Sequence, residues 1–413
     1  MLWGGISLNH IAQATDELHT SSMKKLKKQT ALISGRAIES ISISDWPSLT
    51  GLRGLAAVWV LLLHAFNLSG KPEALPTAFA WLFQMGWVGV DIFFVLSAFL
   101  LSVPYALAIR KEVPAPDRRQ YYKRRFARIL PAYYLQLGLL LLLVSAGIAK
   151  SVFWYPLTME AALAHFLFWF NSWPLIPSYV PTWWTLPVEL GFYVLLPWLA
   201  SCLTDRRWWY LIIGIALSLI YRHIILQAGF QRSEEIYWAE NLPGRLFQFL
   251  FGMLAAFFFA KWQQKYQARS FILRNATLLV AGAALIMLPA LGWLDGKTYN
   301  GSPSLHPVLA YWHVFASLLI ICILWALVFG KTIFDWLLNA WPLQWLGRIS
   351  YGIYLWHYPV MVVLSENMIG KTVINVDFFN YLVTSFLITI TLAFLSWHWL
   401  EAPVLRRVGS SAA

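Results

Sequence analysis

The sequence predicts an all-α, polytopic membrane protein of about ten transmembrane helices plus one short re-entrant helix. Three observations carry that expectation. Of the 413 residues, 59% are apolar or aromatic and 12% are charged, where a soluble domain has about 45–50% and about 25%. The apolar residues gather into stretches of roughly twenty, the length that crosses a bilayer. Lys and Arg fall in short runs between those stretches, concentrated in alternate loops. An ordinary soluble globule, a disordered chain and a nucleic-acid-binding module are excluded, despite a formal net charge of +12. Cys202 and Cys322 lie in or at the edge of apolar segments and point to neither a disulfide framework nor a metal cluster.

Residues 1–48 are polar and include Lys24, Lys25, Lys27 and Lys28. They hold no apolar core of the length a secretory signal needs, so a flexible cytoplasmic tail is expected, with Met23 as an alternative start. The membrane domain is expected over 49–407 and a C-terminal tail over 408–413. Spans are expected near 52–69, 86–108, 130–148, 183–202, 208–226, 242–260, 272–293, 307–329, 347–366 and 378–400. Segment 161–170, AALAHFLFWF, is about half a span long and runs into Asn171, Pro174 and Pro177, which suits a re-entrant or interfacial piece. Charge counting favours that choice. With ten crossings, 24 of the 31 Lys and Arg residues lie on one side and five on the other. A crossing at 161–170 would flip every later loop and erase most of the bias. The positive-inside rule then puts both termini in the cytoplasm. No 20–50-residue repeat and no paired broken helices of the transporter kind are evident.

Ionisable side chains at mid-bilayer cost about 2.5–3.5 kcal/mol on insertion scales, so each needs a reason. The set is Arg53, His64, Asp91, Glu189, Arg222, His223, Arg245, His313, His357 and His398. In SLTGLRGLAAVWVLLLH, ten residues separate Arg53 from His64. Eleven steps at about 100° end about 20° past three full turns, on the same helix face and about 16 Å further along the axis. A snorkelling Arg and a hydrogen-bonded core His would explain either residue alone. Both on one face favour a functional pair. A guanidinium fork suits phosphate, and a His in a partly dry cavity suits general-base work near neutral pH. A ligand with a phosphate-rich head at the cytoplasmic surface and a reactive end deeper in would touch both, and acyl-coenzyme A has that shape. The basic loop 110–128 adds Arg124, Arg125 and Arg128 just before the third span. Arg125 and Arg128 are neighbours on a helix. Topology and anionic lipid headgroups are the plainer explanations of that loop.

Six blocks in order, LTGLRGLAAVWVLLLH, GWVGVDIFFVLSAFLL, KRRFARILPAYY, WWTLPVELGFYVLLP, LGRISYGIYLWHYPV and SWHWLEAPVLRR, together resemble the acyltransferase 3 family. These are polytopic membrane enzymes that acylate carbohydrates and other exported acceptors. The resemblance runs from about Leu49 to Arg407. It maps the family's Arg-x10-His signature onto Arg53 and His64, and the second-span block onto Asp91, Phe93, Phe94 and Ser97. The Arg-x-x-Arg block falls on Arg125, Arg128 and Pro131, and a further block surrounds Glu189. The late block falls on Ser350, Tyr351, Tyr354, His357 and Pro359, and the ending on Glu401 and Pro403. Ala98 stands where the family usually has Gly, and Leu190 and Gly191 replace its usual polar pair.

The resemblance implies transfer of an acyl group, commonly acetyl, from cytoplasmic acyl-CoA to a hydroxyl of an extracytoplasmic carbohydrate or lipid-linked glycan. The setting implied is a bacterial inner or plasma membrane, with membrane lipids around the protein and no nucleic-acid partner. Acyl-CoA is a co-substrate, and neither a metal nor a further cofactor is implied. His64 becomes the catalytic residue, as general base or as a transient acyl carrier, two routes that spacing does not separate. Arg53, Arg125 and Arg128 become the phosphate ligands. Asp91, Glu189, Ser97 and His357 are expected to support. Asp91 and Glu189 would orient His64 or pair with Arg222 or Arg245, Ser97 would pack small, and His357 would be a satisfied core histidine. His313 and His398 read as core or interface residues, and His165 as a candidate wall of an acceptor entry. Trp169, Trp173, Trp183, Trp184 and Trp198 read first as an interfacial belt and second as a stacking surface for sugar. The competing reading is a transporter or flippase for a lipid-linked glycan, whose intramembrane charges would line a pathway.

Overall fold

An apolar chain in lipid must satisfy its own backbone hydrogen bonds, and among the described residues the long apolar segments do so as helices. The computed structural model describes residues 46–69, 77–111, 114–171, 176–228, 237–266, 271–294, 311–368 and 374–409. The expected N-terminal tail through residue 45 lies outside the described residues. Helix α1 runs Pro47–Leu68 with Pro at its start, where the missing N–H is no loss. Helix α2 (Thr77–Gln84) passes through a 3-10 turn, Met85–Trp87, into α3 (Val88–Arg110). Then come α4 (Arg118–Ser145), α5 (Met159–Phe166), a 3-10 turn at Pro181–Trp184 leading into α6 (Thr185–Leu199), α7 (Trp209–Gln227) and α8 (Leu242–Tyr266). The chain continues through α9 (Phe271–Leu294), α10 (Trp312–Val328), the short α11 (Asp335–Leu338) and α12 (Trp341–Arg348), then α13 (Ser350–Met368) and α14 (Ile374–Ser396). A π-turn, Trp397–Glu401, leads into α15 (Ala402–Arg407).

Among the described residues seven stretches are long and apolar enough to cross a membrane: Pro47–Leu68, Ala80–Arg110, Arg118–Ser145, Pro181–Cys202, Trp209–Gln227, Tyr237–Gln263 and Phe378–Arg407. Phe271–Met287 and Trp312–Val328 are apolar but shorter. The protein is a multi-pass integral membrane protein. The basic loop expected over 110–128 is largely helix, because α4 begins at Arg118 rather than near 130. Asp117 caps it, its carboxylate accepting from the Gln120 N–H at 2.7 Å, and Arg, Lys and Gln are good helix formers. At 28 residues α4 is about 42 Å long against a hydrocarbon core of about 30 Å, so its basic first turns extend past the apolar layer. The half-length segment at 161–170 is helical only as far as Phe166. There the backbone turns through positive φ at Phe168 (56°) and Asn171 (54°), and the Asn171 side chain accepts from the Ser178 N–H at 3.0 Å.

Helices α3 and α8 form the mostly buried centre of the bundle, while α7 and α14 are peripheral. Gly252 on α8 lies against Val95, Ala98 and Phe99 of α3, and a Cβ there would meet the Ala98 methyl at 2.7 Å. The Ala98 methyl, where the family usually has none, is accommodated by a glycine on the partner helix. Phe94 of α3 stacks on Phe249 at 4.7 Å, and Phe249 on Phe192 of α6 at 4.3 Å. At one end of the bundle Asp205 accepts from both terminal nitrogens of Arg110, at 2.8 and 2.7 Å, and from Lys261 at 3.0 Å. These bonds, Arg110's foremost, hold the Asp205 carboxyl below the usual carboxylate range.

Helix α1 is gripped from two sides by bare backbone. Gly86 of the 3-10 turn and Gly89 of α3 bring that stretch onto the Trp59 and Ala56 carbonyls, while Gly347 of α12 lies on the Thr50 carbonyl. Overpacking such a contact costs about 1–3 kcal/mol or more. Gly347→Val is therefore expected to lower the melting temperature of the purified protein by several degrees. Gly138→Ala, at a position with nothing within 4 Å, should leave it unchanged; equal melting of both variants would contradict the close approach.

Candidate active site

Helix α1 carries Arg53 near its start and His64 near its end. Arg53 Nη2 donates to the Ser350 hydroxyl at the start of α13, at 3.1 Å. Arg125 and Arg128 of α4 and Glu189 and Tyr193 of α6 all act electrostatically on its guanidinium. Glu189 accepts from Ser97 Oγ of α3 at 3.3 Å and from the Tyr193 hydroxyl one helical turn along. Arg128 lies 5.1 Å from the centre of the Trp397 ring, donates to the Arg348 carbonyl at 3.5 Å and faces Glu401 at 3.7 Å. Glu401 is fully buried and held by Ser396 Oγ at 3.1 Å, across the π-turn. The cluster thus joins α1, α3, α4, α6, α13 and the C-terminal turn. It sets three guanidiniums, of Arg53, Arg125 and Arg128, against two carboxylates, of Glu189 and Glu401.

About 16 Å along α1 from Arg53, His64 meets His357 of α13. His64 Nδ1 lies 2.9 Å from the Val60 carbonyl and 3.3 Å from His357 Nε2, and His357 Nδ1 lies 3.1 Å from the Ile353 carbonyl. A carbonyl only accepts, so each Nδ1 carries its ring's proton and His357 Nε2 is an acceptor. That leaves His64 Nε2 unprotonated, with no hydrogen-bond partner among the described residues. The edge of Tyr358 packs against the His64 ring at 5.4 Å, and His357 is buried while His64 is only half-buried.

Asp91 goes elsewhere. It accepts from Gln248 at 2.7 Å and Arg245 at 3.3 Å, and both its oxygens lie 3.0 Å from His313 Nδ1. Arg245 also pairs with Glu240 and lies over the Trp184 ring at 5.4 Å. Arg222 donates to Glu240 at 3.0 Å and to the Ala239 carbonyl at 2.6 Å. Two guanidiniums here meet two carboxylates, and α3, α7, α8 and α10 are tied together by a balanced network. Of the two roles open to Asp91 and Glu189, orienting His64 is taken by neither: Asp91 pairs with Arg245, and Glu189 joins the Arg53 cluster.

His165 is buried with both ring nitrogens engaged, Nδ1 at 2.7 Å from the Ala161 carbonyl and Nε2 accepting from the Tyr179 N–H at 2.8 Å. Its ring is stacked between Phe170 and Tyr179, so it offers no face to an acceptor. His398 stacks on Phe394. Trp183 is buried and donates to Gln136 at 3.1 Å, Trp169 and Trp198 are exposed, and Trp173 lies outside the described residues. Sequence reasoning gave no role to Tyr193, Glu240, Gln248 or Glu401. The four-residue spacing from Glu189 could have found Tyr193. Glu240 precedes the apolar run that starts at Leu242 and so counts as loop.

A family model described as an acyltransferase domain matches residues 46–398. The chain belongs to the acyltransferase 3 family. The match takes in Arg53, His64, Asp91, Ser97, Arg125, Arg128, Glu189 and His357 and stops before Glu401. The chain is 27% identical to YrhL of Bacillus subtilis over 392 residues, covering 87% of this chain and 54% of that protein. It is 27% identical over 384 residues to the peptidoglycan O-acetyltransferase OatA of Listeria monocytogenes, covering 87% and 55%. Against the O-acetyltransferase OatA of Staphylococcus aureus the figures are 25% over 389 residues, covering 87% and 57%. The chain thus spans about half the length of the curated relatives it matches. No solved structure matches it.

Breaking a buried ion pair by removing one partner costs about 3–5 kcal/mol, because the other charge is stranded. Arg245→Ala is expected to destabilise the protein on that scale. The double variant with Asp91→Ala should lose less than the sum of the two singles, read as melting temperatures in one detergent. Strictly additive losses would show that the two charges are not coupled.

Proposed function

We propose that the chain is a membrane O-acyltransferase that moves an acyl group, acetyl foremost, from cytoplasmic acyl-CoA to a hydroxyl of a carbohydrate on the opposite side of the membrane. The observation that carries this reading is the content of α1: a guanidinium within an arginine cluster at one end and an imidazole with a free Nε2 further along. The excess of guanidinium over carboxylate in the Arg53 cluster supports an anionic ligand there, and CoA phosphates suit the donor forks of Arg53, Arg125 and Arg128. Ten crossings, with α5 not crossing, put that cluster at the cytoplasmic surface and both termini in the cytoplasm, the arrangement that the 24 to five bias of Lys and Arg supports. The relatives named peptidoglycan O-acetyltransferases support a cell-wall carbohydrate as acceptor.

In the proposed reaction the thioester lies beside His64. Nε2 takes the proton of the acceptor hydroxyl as its oxygen attacks the thioester carbonyl. The C–O bond forms, the tetrahedral intermediate expels the CoA thiolate, and the imidazolium returns its proton to that sulfur. Direct transfer needs no acyl-enzyme, and attack by Nε2 itself would be the two-step variant.

The test is acetyl transfer by purified protein in lipid, from labelled acetyl-CoA to a soluble peptidoglycan fragment. Wild type should label the fragment, and His64→Gln should lose on the order of 10²–10⁴-fold in kcat; substantial transfer by that variant would remove His64 as the base. Arg53→Ala should raise the KM for acetyl-CoA roughly tenfold, the size of one charge-assisted hydrogen bond. Label that stays on CoA while a lipid-linked glycan crosses the bilayer would favour the flippase reading instead.

A further inference from the structure

Helices α1 and α13 run side by side in the same direction, and two contacts register them: Arg53 to Ser350, and His64 to His357. Seven steps lead from Ser350 to His357, two turns less about 20°, so both face α1. This pairing gives His357 a neighbour that a satisfied core histidine would not need. Its Nδ1 proton is committed to the Ile353 carbonyl, which obliges Nε2 to act as an acceptor at 3.3 Å from His64 Nδ1. The Val60 carbonyl also receives the His64 Nδ1 proton, but that oxygen serves the helix's own backbone hydrogen bond as well. It is a shared acceptor on the same helix, while His357 braces the ring from outside.

We propose that His357 is the positioning residue for His64: its Nε2 accepts the Nδ1–H of His64, fixes that tautomer and aims His64 Nε2 at the reacting hydroxyl. The role is that of the orienting carboxylate in a catalytic triad, filled here by a neutral ring. When His64 takes the acceptor's proton, its Nδ1–H becomes a stronger donor and the bond to His357 tightens. The interaction is thus worth more in the transition state than in the resting enzyme. No proton leaves His64 through Nδ1, and His357 stays neutral throughout.

The inference rests on the acyltransferase reading given above, and its test separates the two. Wild type and His64→Gln are assayed first; absence of transfer by wild type, or full transfer by His64→Gln, defeats that reading itself. Given the expected result there, His357→Leu should lose roughly 10–100-fold in kcat, the usual size of an orienting hydrogen bond to a working histidine, with the KM for acetyl-CoA unchanged. His357→Gln keeps an acceptor oxygen close to the position of Nε2 and should recover most of the rate, whereas His357→Asn, too short to reach, should not. The Gln and Asn pair decides the matter if the Leu variant does not accumulate, with melting temperatures checking that both fold. An unchanged kcat in His357→Leu, equal kcat in the Gln and Asn variants, or a loss confined to KM would overturn the assignment.

Discussion

Charge inside an apolar bundle must be answered by charge or hydrogen bonds from the protein itself, since lipid supplies neither. That constraint sorts the buried ionisable residues into two groups. Asp91, Glu240, Arg222 and Arg245 balance one another and, with His313 on Asp91, join four helices. Such a network is neutral and internally spent, and removing a member is costly because its partner is left alone. Among the described residues, Arg53, Arg125 and Arg128 share the two carboxylates of Glu189 and Glu401. The difference in balance, rather than the number of arginines, separates scaffold from candidate ligand site.

The second requirement is register. Two side chains some 16 Å apart can serve one ligand only if the helix carrying them neither rolls nor slides. Backbone on backbone contact supplies that: the 3-10 turn and the start of α3 lie on α1 through Gly86 and Gly89, and α12 through Gly347. Small residues permit the approach, and close approach multiplies the dispersion contacts that hold helices together in lipid. Helix α13 then fixes rotation, with a hydroxyl near one end of the shared face and an imidazole near the other.

What could be read from the sequence follows the range of the physics involved. Helical periodicity is local, so the common face of Arg53 and His64 was visible in a string of letters, as were the ten apolar segments, each of which is largely helical over its described residues. Partners across helices were not visible. Asp91 and Glu189 had the same open alternatives, and only the packing of α3 against α8 and α6 sends one to Arg245 and the other to Ser97 and the Arg53 cluster. His357, between Trp356 and Pro359 in an apolar run, read as a core histidine; its own helix does satisfy one nitrogen, and the other becomes meaningful only when α1 is laid beside α13. The start of α4 was within reach of sequence reasoning, because Asp117 ahead of a run of helix-forming Arg, Gln and Lys is a capping signal.

The neutral histidine pair also bears on how the proposed chemistry could proceed at that depth. A carboxylate behind His64 would raise its basicity but would itself need compensation in a region of low dielectric. Among the described residues the guanidinium–carboxylate groups are engaged elsewhere, one closed around Asp91 and the other gathered around Arg53. With His357 as acceptor, the resting pair carries no charge. On the proposed route an imidazolium exists only between the attack of the hydroxyl and the departure of the thiolate, and it then coexists with the anionic tetrahedral centre it has just helped to create. The positive and negative charges arise together, a few ångströms apart, and disappear together when the proton reaches sulfur. A histidine pair that carries no charge at rest can still favour one in passing, provided its opposite forms beside it.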